Sequence, residues 1–168
     1  MGVLKTRFGH RQAQYLYRQV CPVVGASIGQ HVRHSMDHME LAARMATSKE
    51  DFELHYDLRT RGGDDEKDME VAEQRVQSVC SLLREMETLL DEDVQRPVEA
   101  CFMLSADPTE YHLTSTIERE MGFAAHHAIH HMAMVKIIAT HSVGLKSHDL
   151  SPDFGRAPST IVHDNREF

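Results

Sequence analysis

The sequence predicts an all-α protein, a bundle of helices. Three observations carry that expectation. Apolar residues recur at three- and four-residue spacing in three long segments. A fourth, weaker segment precedes them. The chain of 168 residues is long enough to bury one sizeable core, as a single domain over 1–168.

Residues 3–20 form the weak segment, with Leu4, Phe8 and Leu16 as its apolar positions; Pro22 and Gly25 end it. Residues 26–47 read as a strong helix with Ser27 as N-cap. Residues 48–64 read as a loop closing on Gly62 and Gly63. Residues 65–92 carry the cleanest stripe, Met69, Ala72, Val76, Val79, Leu83, Met86 and Leu90. Asp64, Asp65 and Glu66 at its start suit a helix N-terminus. Residues 93–112, holding Pro97 and Pro108, read as irregular. Residues 113–142 form the last long helix. Residues 143–168 are a tail expected to fold back over the bundle on Phe154 and Ile161, or to act as a lid.

Composition narrows the function. Lys and Arg number 18 against 26 Asp and Glu, a net charge of −8. An acidic chain without a basic stripe argues against a nucleic-acid partner. No apolar run reaches the ~18 residues of a membrane span. Met1 to Thr6 fits the short myristoylation pattern with no polybasic second signal, so no membrane partner is expected. Cys21, Cys80 and Cys101 form no C-x-x-C pair and read as reduced thiols in the cytoplasm.

Histidine is the anomaly, with 13 residues. On a helical wheel of 26–47, Ile28, Val32, Ser35, Met36, Met39, Ala42 and Ala46 make the apolar arc. His31, His34 and His38 border it, beside Leu41 and Met45. On 113–142, His127 and His131 lie beside the apolar stripe, and His126 and His130 fall on the outer side. His127 and His131 stand four apart, the spacing at which two imidazoles of one helix grip a transition metal. A third ligand from 26–47 would complete an open three-imidazole site. The wheel leaves His31, His34 and His38 equal candidates. The competing reading is a set of core histidines satisfied by hydrogen bonds.

Four segments in order, SIGQHVRHSMDHMELA (27–42), YDLRTR (56–61), EREMGFAAHHAIHHMAM (118–134) and PDFGRAPSTI (152–161), resemble the DinB-like (DinB/YfiT-like) metalloenzymes. The resemblance covers most of the chain from residue 26. It implies a four-helix bundle of up-down-down-up topology that binds a divalent transition metal, zinc or nickel foremost, with iron, copper or manganese also suited. It implies a homodimer. His34 and Asp37 match the family's H-x-x-D element, so the resemblance makes His34 the first ligand. His127 and His131 match its last-helix pair. His31 and His38 then become pocket residues and candidate general acid–base groups. Asp37 and Glu120 become candidates to orient the ligating rings by hydrogen bonds. Arg59 and Arg61 sit in a loop tied by salt bridges, or they clamp an anionic small-molecule substrate. The segment before Ser27 is shorter than the family's first helix, so that helix is expected to be short or replaced by a partner subunit.

The function so implied is a metal-dependent transferase or hydrolase acting on a small molecule, in some relatives with a thiol cofactor. The alternatives are a non-catalytic metal-binding or stress-response module and a dimeric scaffold without metal.

Overall fold

A computed structural model describes residues 1–48, 53–58, 61–89 and 91–166. In chain order it contains α1 (Gly2–Phe8), α2 (His10–Arg18), α3 (Ile28–Thr47), β1 (Leu54–His55), α4 (Met69–Met86) and α5 (Asp91–Val94). Then follow β2 (Pro97–Met103), β3 (Glu110–Thr116), α6 (Ile117–His141) and α7 (Pro158–Asp164). Short 3-10 turns cover Asp64–Glu66 and Ser147–Asp149.

The fold is therefore mixed, which corrects the expected all-α four-helix bundle of up-down-down-up topology. A three-stranded sheet of order β1-β2-β3 stands where loop and irregular chain were expected. β2 and β3 pair antiparallel, with Cys101 opposite His112. β1 joins β2 in parallel, with Leu54 opposite Ala100 and His55 opposite Cys101. The physical reason lies in the period of the pattern. Val98, Ala100 and Phe102 alternate with Glu99, Cys101 and Met103, a repeat of two rather than 3.6. The two prolines hid it. Pro97 is the first residue of its strand, where a missing N–H is tolerated. Pro108 lies in the connection between β2 and β3.

Helix limits shift accordingly. The last long helix begins at Ile117, because 113–116 complete β3. The helix expected over 65–92 spans Met69–Met86. Its start is set by the Asp68 carboxylate, which accepts the Glu70 N–H at 2.7 Å. The Ser27 cap is present and reciprocal. Ser27 Oγ accepts the Gln30 N–H at 3.1 Å, and Gln30 Oε1 accepts the Ser27 N–H at 2.9 Å.

The chain divides into two compact units, and α3, α4 and α6 each supply residues to both. The first holds Met1–His34, Gly62–Gln74 and Ala128–Phe168. Its core gathers Leu4, Leu16, Tyr17, Ile28, Met69 and Ile138, with Val143 and Leu145 from the tail. Phe154 packs against this core, and Ile161 is half-buried. Two glycines permit close approaches here. A Cβ on Gly29 would lie 2.1 Å from the Glu66 carbonyl oxygen. Gly155, at φ 68°, would place one 2.8 Å from the Met132 carbonyl oxygen.

The second unit holds Ser35–Arg61 and Arg75–His127. Its core is Met45, Ala46, Leu54, Tyr56, Val98, Ala100 and Ile117, flanked by Phe102, Met121 and Phe123. The Val98–Ala100–Phe102 face of β2 thus turns inward, and the Glu99–Cys101–Met103 face points the other way. Among the described residues no helix is long and apolar enough to cross a membrane.

Candidate metal site

Helix α3 carries His31, His34 and His38 within two turns, and α6 carries His127 and His131 one turn apart. One ring nitrogen from each of His34, His127 and His131 lies within 4.8 Å of the others. All three residues are partly shielded, His131 being 9% exposed. The structure thus brings together the three histidines that the family resemblance selected. Three imidazoles whose nitrogens lie this close could hold one divalent ion, leaving positions open for another ligand.

The other two α3 histidines line the same cluster. His31 Nδ1 faces His131 Nδ1 at 2.7 Å, so one of those nitrogens carries the proton that the other accepts. Burial, and then the nearby charge of His130, hold the His31 pKa below its ordinary value. His34 meets the His131 ring edge-on, with centroids 4.4 Å apart. His38 is 4% exposed and stacks on His127 at 4.3 Å. On its other side His38 stacks on Tyr56 at 4.9 Å. Phe123 stacks on His127 at 5.6 Å, and Phe102 stacks on Tyr56 at 4.9 Å. These rings wall His127 and His38 with apolar surface.

Glu120 is 1% exposed and accepts hydrogen bonds from Tyr56, Ser115 and Arg119. The Tyr56 hydroxyl donates to it at 2.9 Å, Ser115 at 2.6 Å and Arg119 at 2.7 Å. Burial and the Glu120 charge push the Tyr56 hydroxyl pKa well up, so it stays a donor. Glu120 therefore anchors Tyr56, which in turn supports the ring of His38. Asp37 pairs with Arg75 at 2.8 Å, and the same guanidinium reaches Glu40 at 2.9 Å. Asp37, Glu40, Arg44, Tyr56 and Arg75 line an open groove of about 270 Å³ in the second unit.

Arg61 is exposed, and Arg59 lies outside the described residues. The neighbouring YD pair is tied down by hydrogen bonds. The Tyr56 N–H donates to the Cys101 carbonyl at 3.2 Å, and Asp57 accepts the Met103 N–H at 2.8 Å. The aromatic wall of Tyr56, Phe102 and Phe123 was not anticipated from sequence. Its signal was the two-residue period of β2, which places Phe102 on the inward face.

No family model and no solved structure matches the chain. A curated protein, FK506-binding protein 5 of Rhizopus delemar, is 29% identical over 116 residues, which is 68% of this chain. The chain spans 28% of that relative's length.

Proposed function

We propose that this protein is a DinB-like metal-binding enzyme that uses His34, His127 and His131 to hold one divalent transition ion. The observation that supports this reading is the convergence of three imidazole nitrogens, each within 4.8 Å of the others, from two helices. The donor set fits the ion: all-imidazole sites suit zinc, nickel, copper and iron, and not calcium or magnesium. When bound, such an ion supplies Lewis acidity toward a water or a thiol.

The chain's own residues supply the rest. His38, stacked between His127 and Tyr56, is placed to accept or return a proton beside the ligating ring. His31 holds the orientation of His131 through their shared proton. The Tyr56–Glu120 hydrogen bond fixes the tyrosine ring on which His38 stacks. The activity proposed is transfer or hydrolysis on a small molecule, with a low-molecular-weight thiol as the natural co-substrate, in a cytoplasmic homodimer. The aromatic wall and the adjoining arginine-bearing groove suit a substrate with an apolar body and an anionic group.

Elemental analysis of protein purified without a histidine tag tests the reading. The unmodified chain should carry a full equivalent of transition metal more than a His127→Ala/His131→Ala variant of equal helicity. Equal metal content in the two proteins would remove the chemical basis of the proposal. A metal that is present but inaccessible to small thiols would instead favour a non-catalytic metal module.

A further inference from the structure

The sheet brings a second set of metal-ligating side chains together, away from the three histidines. The face of the sheet opposite the Val98–Ala100–Phe102 side carries Glu53 and His55 on and just before β1, Glu99 and Cys101 on β2, and Glu110 and His112 on β3. The register explains why they meet, since His55 stands opposite Cys101 and Cys101 stands opposite His112. One ligand atom from each of Glu53, Cys101 and His112 lies within 4.8 Å of the others. Cys101 Sγ is 3.5 Å from His112 Nδ1, and Glu53 Oε1 is 3.8 Å from the same nitrogen. Glu99 also hydrogen-bonds this ring. His55 spans two carboxylates, with Nε2 3.0 Å from Glu53 and Nδ1 2.7 Å from Glu110.

Two features distinguish this cluster from an ordinary surface ion-pair network. Cys101 is fully buried, yet its sulfur lies 3.5 Å from the His112 imidazole and within 4.8 Å of a Glu53 carboxylate oxygen. Burial, and then the charges of Glu53, Glu110 and Glu99, push its thiol up to about 11. Without a cation it is neither a nucleophile nor a charge partner. Glu110 is the second feature. Its side chain is 10% exposed, and its Oε1 is buried with no hydrogen-bond donor among the described residues reaching it. A desolvated carboxylate oxygen costs stability unless something positive approaches it.

We propose that Cys101, His112 and Glu53 form a second divalent-metal site, selective for zinc-class ions. A thiolate, an imidazole and a carboxylate together favour zinc, cobalt or nickel over calcium or magnesium. On binding, the cation displaces the Cys101 proton to solvent, so affinity rises with pH. His55 fixes the Glu53 carboxylate, and Glu99, bonded to the same His112 Nδ1 that would ligate, releases that nitrogen when the ion binds. The Cys101 thiolate and the Glu53 carboxylate balance the two charges of the ion, and Glu99 and Glu110 add a negative field around it. The site consists of second-unit residues alone and stands whether or not the three-histidine site is filled.

Cobalt(II) titration of the whole protein tests this, because only a thiolate ligand gives a sulfur-to-cobalt charge-transfer band in the near ultraviolet. The band should appear with stoichiometric cobalt, persist in His127→Ala/His131→Ala, and disappear on adding zinc. It should be absent in Cys101→Ser, while Cys21 and Cys80 remain. His112→Gln, a change at a half-exposed ring outside the core, should weaken cobalt binding about tenfold or more. A chain that takes up cobalt without the band overturns the proposal. So does a band that survives Cys101→Ser, or one that is unchanged in His112→Gln.

Discussion

The hydroxyl of Tyr56 donates to Glu120 at 2.9 Å, between side chains that are 3% and 1% exposed. Tyr56 comes from the chain just after β1 and Glu120 from the first turn of α6. The bond joins the end of the sheet to the helix that carries His127 and His131. It also sets the tyrosine ring on which His38 stacks.

Tyr56→Phe should therefore cost more than a surface hydroxyl. It leaves the ring in place but takes one donor from a buried carboxylate, at about 1.5–3 kcal/mol. Urea unfolding should show a lower midpoint at unchanged slope. A loss under half a kcal/mol would mean that Ser115 and Arg119 satisfy Glu120 by themselves.

Ser27→Ala removes one half of the reciprocal cap at the start of α3. The expected loss is about 1 kcal/mol, read as a lower thermal midpoint. Ser27→Asp, which keeps an acceptor at the same place, should recover most of it.

Gly155→Ala tests how closely the tail approaches α6. A methyl group would meet the Met132 carbonyl oxygen at 2.8 Å, on a backbone with φ 68°. A destabilisation of about 1–3 kcal/mol is expected, with proteolysis entering the tail first. An unchanged midpoint would show that the tail is not held at this contact.

Glu40 sets a pH dependence. Burial tends to raise its pKa, but hydrogen bonds and charge from Arg44 and Arg75 outweigh burial, and its folded pKa lies below the ordinary 4.5. A carboxylate with a depressed folded pKa adds stability that is fully present above 4.5. That stability is lost as the pH falls through the folded value. Glu40→Gln should be less stable than the unmodified chain at neutral pH, and the difference should shrink as acid protonates Glu40. A difference that stays constant into acid would mean that the two arginines do not act on Glu40 through its charge.

Metal linkage checks the three-histidine site by a second route. In a Cys101→Ser background, nickel at about 100 times its dissociation constant should stabilise the fold by roughly 2.7 kcal/mol. Adding His127→Ala/His131→Ala should abolish the upward shift of the thermal midpoint. A shift of the same size in that variant would place the ion elsewhere.

Helix α3 was legible from its sequence down to the Ser27 cap, and the inward pair His127 and His131 was legible from spacing alone. Both depend on groups within one or two turns of each other, which the local sequence encodes directly. Arg59, by contrast, falls outside the described residues, and the ion pair of Asp37 with Arg75 and the hydrogen bond of Tyr56 to Glu120 join segments remote in sequence. The sheet was not read from sequence, although the alternation Val98, Ala100, Phe102 was present. Its prolines resembled breakers, and a two-residue β1 is too short to show any period.

Which residues share a helical face follows from local sequence: the i, i+4 imidazoles, the cap and the apolar stripes come from a backbone that bonds to itself every four residues. Which faces meet is settled by the folded chain. Leu54 pairs with Ala100, His31 shares a proton with His131 a hundred positions away, and Cys101 lies against His112 across the hairpin. Those pairings satisfy hydrogen bonds and burial between segments remote in sequence, so no local period announces them.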